Sequence, residues 1–160
     1  MNEAVREKLL RVGARPVVAA LARRNVRGRD VARLPRQEPF VGEARLTVES
    51  CRAGDVLVLD QPVARVPQRL AHRLAGVMTR RELRGVAPTP GDVVFRDRTA
   101  LVVIPAALAD QVAEEAAEAI AFEEFTAEQV NQGGGVYGLH IPSGERARQA
   151  FAQWRKLKGR

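Results

Sequence analysis

Cysteine is almost absent from this sequence. Cys51 stands alone, so no internal disulfide framework is available, and this usage predicts a reducing, cytoplasmic setting. Lysine is scarce too: Lys8, Lys156 and Lys158 are the only ones, and nearly all positive charge is arginine. Aromatic residues make up 4% of the chain, too few to offer a stacking platform for bases. The net charge of +7 therefore reads as a solvated, mixed surface, and no specific nucleic-acid partner is expected. No apolar run is long enough for a membrane span, which predicts no membrane partner. The opening residues, MNEAVREKLLRVGARP, carry charges where a signal peptide needs an apolar core, so none is expected. His72 and His140 lie far apart with no cysteine or histidine at ligand spacing, which argues against zinc. Cys51 has no nearby histidine signature and reads as a small buried side chain, not a nucleophile.

What is present suits one folded domain, residues 1–160, with 46% hydrophobic content and length enough for a core. Val5, Leu9 and Leu10 have helical spacing over residues 3–12, Gly13 interrupts, and Pro16 opens a second helix, PVVAALARR. Residues 26–39 are polar, with two prolines, and read as a loop. Alternation over Ala44 to Val48 predicts a half-buried strand, and Val56-Leu57-Val58-Leu59 a buried one closed by Asp60. A helix is expected around residues 67–75, from Pro67 to a stop at Gly76. Two β-branched runs follow, Val93-Val94-Phe95 and Ala100–Ile104, joined by the polar turn Arg96-Asp97-Arg98-Thr99.

Pro105 then admits a helix from Ala106 to about Gln132, with Leu108, Val112, Ala116 and Ile120 on one stripe and Asp110, Glu114 and Glu118 on the other side. Gly133-Gly134-Gly135 stops it, and Ser143 caps a last helix over Gly144–Lys158 in which Phe151 and Trp154 form a packing pair. The long helix carries only acidic charge and the last one is basic, so the two are expected to face each other, within a chain or between chains.

Strands interspersed with helices make an α/β or α+β domain. The stretch PGDVVFRDRTALVVIPAALADQVAEEAAE, continued by AFEEF, GVYGLHIPS and FAQWRK, resembles the carboxy-terminal part of the RraA-like family, best over residues 90–160, and AGDVLVLD is similar to an earlier family segment. That family includes 4-hydroxy-4-methyl-2-oxoglutarate aldolases and regulators of RNase E. The resemblance implies a β/β/α swivelling-domain architecture, here with a contracted central region, and a ring-like homotrimer with sites near subunit boundaries. It also implies a lyase that uses Mg2+ or another divalent metal for retro-aldol cleavage and for decarboxylation of oxaloacetate, releasing pyruvate. The physical need is an ion to hold the enolate charge and an arginine to grip the carboxylate of a small oxo-acid.

The family's two central motifs are altered here. Pro67-Gln68 stands where a glycine and an acid are expected, and Arg80-Arg81-Glu82 where an Arg-Asp pair is expected. The resemblance then makes Arg81 the stand-in for the group that holds the substrate carboxylate, and Glu82 the stand-in for the metal ligand. Arg96-Asp97 matches by letters alone and reads as the hairpin turn, while Asp60 and Asp92 sit at strand ends, where aspartate satisfies backbone N–H groups. The alternative to a lyase is a non-catalytic scaffold that binds an RNase-type protein partner, as the regulator members do, or a decayed relative with no retained role.

Overall fold

In a computed structural model the described residues are 1–26, 39–60, 66–83, 86–133 and 145–159. They form two compact units, Met1–Ala117 and Glu118–Arg160. Among the described residues no helix is long and apolar enough to cross a membrane.

The first unit opens with α1 (Glu3–Val12), which Asn2 caps by accepting the Ala4 N–H at 3.1 Å. Gly13, at φ 77°, ends α1 and leads directly into α2 (Ala14–Arg23). No side chain of α2 caps its own start. That place is taken by Asp97, far along the chain, which accepts the Ala14 N–H at 2.7 Å.

Five strands make one sheet in the order β3-β2-β1-β4-β5. They are β1 (Phe40–Arg45), β2 (Val56–Leu59), β3 (Gly76–Thr79), β4 (Val93–Arg96) and β5 (Leu101–Ile104). The β1, β2 and β3 strands run parallel, and β4 and β5 add antiparallel on the far side of β1. One apolar layer joins Ala44, Val56, Val58, Met78, Leu83, Val94 and Leu101. Each valine or leucine fully buried there contributes on the order of 1.5–3 kcal/mol. Leu9, Val17, Leu21, Val41, Leu57 and Phe95 are also fully buried, with α1 packed on β1 and α2 on β5. Gly42 is required by close approach: a Cβ there would stand 2.4 Å from the Gly54 carbonyl oxygen.

Two local expectations shift. The first strand starts earlier, at Phe40, and stops at Arg45 instead of Val48. Phe40–Glu43 finds a full antiparallel partner in β4, while the Ser50 hydroxyl donates to the Thr47 carbonyl and bends Val48–Ser50 into a 3-10 turn. The helix expected over 67–75 is a single turn, α3 (Gln68–Ala71). The backbone of Arg73 and Ala75 bonds instead to Gly54 and Asp55, both at 2.8 Å, which draws the chain into β3 at Gly76. Gly76 thus opens a strand and does not stop a helix.

Pro105 and a 3-10 turn at Ala106–Leu108 lead into α4 (Ala109–Asn131), which begins in the first unit and ends in the second. Val112, Ala113 and Ala116 are its fully buried positions; Val112 and Ala116 lie on the expected stripe, whose other members, Leu108 and Ile120, are half-buried. Its early acids pair with the first two helices, Glu114 with Lys8 and Glu115 with Arg23 and Arg24.

In the second unit α4 continues, and α5 (Glu145–Leu157) packs on it through Phe122, Phe125, Phe151 and Trp154. Phe151 and Trp154 stack with ring centroids 6.1 Å apart, as their spacing predicts. The acidic and basic helices do face each other here: Lys158 pairs with Glu128 at 2.8 Å, and Arg155 lies 3.9 Å from Glu118.

Candidate functional site

The carboxyl ends of the parallel strands β2 and β3 lie side by side, with Leu59 opposite Thr79. Open α/β sheets bind ligands beyond such ends. Asp60 follows β2, and Arg80, Arg81 and Glu82 follow β3, so the chain delivers four charged side chains to one edge. Arg80 donates through Nε to Asp60 Oδ1 at 2.8 Å and joins the two strand ends. Arg81 and Glu82 sit on the exposed turn after β3. Leu83, the next residue, is buried in the apolar layer and anchors that turn.

Glu82 folds back on its own strand. Its Oε2 accepts the Thr79 N–H at 2.7 Å and the Thr79 hydroxyl at 2.9 Å. The carboxylate therefore closes a turn, a role that leaves it poorly arranged to serve as a dedicated metal ligand. Among the described residues no three His, Cys, Asp or Glu side chains converge to hold a metal. The described residues around Glu82 do not supply a donor set that fits a resident divalent cation.

A second cation reaches toward this turn from the sheet. Arg96, the last residue of β4, is only 2% exposed. Burial pulls its guanidinium pKa below the ordinary value, and the Glu82 carboxylate pushes it back up. The sequence pattern places Arg96 in a polar turn, whereas it closes β4 and is buried. Its signal was its place at the end of an apolar β-branched run, where the side chain follows the strand into the interior.

Asp97 is the turn residue the sequence implied. Oδ1 accepts the Thr99 N–H and hydroxyl, both at 2.7 Å, and the Ala100 N–H at 2.8 Å, while Oδ2 caps α2. Burial alone would raise its pKa, but the bonds from Ala14, Thr99 and Ala100 hold it below the ordinary carboxylate value. Asp92 also satisfies backbone, accepting from Thr89 at 2.9 Å and Ala106 at 3.1 Å. Asp60 differs, since it pairs with the Arg80 side chain. His72 lies exposed just after α3, and His140 and Gly134-Gly135 lie outside the described residues. Cys51 is half-buried, its Sγ donating to the Thr47 carbonyl at 3.4 Å, and burial and then Asp55 raise its pKa.

No family model matches the sequence. No curated protein matches it either. Solved structures do. One is an uncharacterized protein from Pseudomonas syringae pv. tomato, with TM-score 0.62 and 15% identity, covering 88% of this chain and 98% of the other. Another is a Streptomyces coelicolor protein described as an unusual member of the RNase ES inhibitor RraA protein family, with TM-score 0.56 and 17% identity, covering 79% of this chain and 97% of the other. At these identities the likeness establishes the fold, a mixed α+β fold of the RraA-like kind.

Proposed function

We propose that this chain is a non-catalytic scaffold of the RraA-like type that assembles as a homotrimer and binds an RNase-type protein partner. One observation carries the reading. The acid that stands in for the metal ligand, Glu82, is engaged by the Thr79 N–H and hydroxyl as a turn closure. A binding role needs no metal at that turn and loses nothing by this arrangement. The RNase ES inhibitor family of the Streptomyces relative supplies the class of partner. The acidic helix is a poor candidate for the contact, because Glu114 and Glu115 already pair with Lys8, Arg23 and Arg24.

A lyase reading rests on a different observation, the gathering of Asp60, Arg80, Arg81 and Glu82 at the carboxyl ends of β2 and β3. There Arg81 would take the carboxylate of a small oxo-acid such as oxaloacetate, and Glu82 would be the residue toward Mg2+.

One pair of experiments separates the two. The scaffold predicts a complex with a purified RNase E-type endoribonuclease in size-exclusion chromatography, unchanged by chelator. It also predicts no pyruvate release from oxaloacetate above that of free Mg2+. A saturable, chelator-sensitive release that Glu82→Gln or Arg81→Ala abolishes would overturn it in favour of the lyase.

A further inference from the structure

Away from the β2 and β3 carboxyl ends, a pocket of about 210 Å³ opens at the start of β2. Its lining comes from the first turns of α1, from β1, and from the loop before β2. Three arginines, Arg6, Arg45 and Arg52, and three acids, Glu3, Glu43 and Asp55, share it. The floor is an ion-paired network. Arg45 donates through Nη2 to Glu43 at 2.7 Å and through Nε to Asp55 at 2.9 Å. Asp55 also accepts the Arg52 backbone N–H at 2.8 Å, which fixes the loop that carries the Arg52 side chain.

The two arginines at the rim are not matched in this way. The Arg6 Nε is buried with no acceptor, and its Nη1 stands 3.8 Å from Glu3, beyond hydrogen-bond distance. That guanidinium leans over Gly54: a Cβ built there would come within 3.6 Å of Arg6 Nη1. The exposed Arg52 side chain donates no hydrogen bond to the described residues. A floor of paired charges beneath two guanidiniums with open donors makes a concave cradle.

We infer that this pocket binds a small oxyanion, a phosphate or a carboxylate group, held between Arg6 and Arg52. Guanidinium presents paired N–H donors matched to both groups. Arg45 is held down to the floor through Nε and Nη2, which point at Asp55 and Glu43. The site stands apart from Arg81 and Glu82 and does not depend on the scaffold reading.

The test uses the whole chain with inorganic phosphate in one arm and malonate in the other, each against potassium chloride at matched ionic strength. Thermal melts should show a saturable rise of about 4 °C in at least one arm, matched by heat in isothermal titration. A response to phosphate alone identifies a phosphoryl ligand, and one to malonate alone a carboxylate. Arg52→Ala should abolish the rise and leave the anion-free melting temperature unchanged, since its side chain is exposed. Arg6→Ala should weaken the rise at least tenfold in midpoint concentration, and Arg81→Ala should not alter it. The proposal is overturned if neither anion shifts the melt beyond chloride, or if Arg52→Ala keeps the full rise.

Discussion

Two turns of this molecule carry the same short sequence, an arginine followed by an acid. Arg96-Asp97 links β4 to β5, and Arg81-Glu82 follows β3. Both acids accept backbone N–H groups. The difference lies in what each turn holds together. Asp97 closes its own hairpin and caps a helix that begins 83 residues earlier, with Arg96 buried beside it. Glu82 accepts from Thr79, three residues away, and both members of its pair are exposed. The same arginine-acid pattern thus becomes a tertiary joint in one place and a local closure in the other, and burial makes the distinction.

Substitutions can break or sharpen that contrast. The largest effect is expected for Arg96→Ala, which empties a fully buried volume at the sheet end and leaves its neighbours without their cation. A loss of about 3 kcal/mol in urea unfolding is expected, and a loss under 1 kcal/mol would mean that the side chain is not held inside. Asp97→Ala comes next, at about 2 kcal/mol, because a helix cap and the hairpin bonds go together.

Asp97 also fixes a pH dependence. Its folded pKa lies below its unfolded value, so its contribution is complete above the ordinary aspartate value of about 3.9 and disappears as pH falls through the lower folded value. Melting curves between pH 2 and 6 should therefore show the Asp97→Ala deficit shrinking at the acid end. A deficit that stays constant to pH 2 would rule out the ionised cap.

Glu82→Ala removes one turn closure and should cost about 1 kcal/mol, without the long-range loss seen at Asp97. Hydrogen exchange makes the contrast visible, since only Asp97→Ala should deprotect the first turn of α2. Arg81→Ala should be smallest, within about 0.5 kcal/mol, as for an ordinary exposed side chain. A large loss there would mean that Arg81 has a structural partner, and the two turns would then be more alike than their burial suggests.

Much of this was legible in the chain itself. Periodicity and punctuation located α1, α2, β2, β4, β5 and α4, because their apolar spacing and their Gly13 and Pro105 boundaries act within a few residues. The Arg96-Asp97 turn and the Phe151–Trp154 pair followed from the same local logic. The likeness over residues 90–160 anticipated the RraA-like fold that the structural neighbours share.

What only the tertiary structure decided were the features set by distant partners. The strand expected to end at Val48 moved toward Phe40 because β4 supplied hydrogen bonds there. The helix near residue 70 shrank because Arg73 and Ala75 bonded to the lead-in of β2. Arg96 went inside, Asp97 took the start of α2, Glu82 turned back on Thr79, and Arg6 and Arg52 came to line one pocket. A sequence records each residue's intrinsic preference, but a charged group's role depends on the dielectric and the donors around it, and those arrive only when remote segments pack.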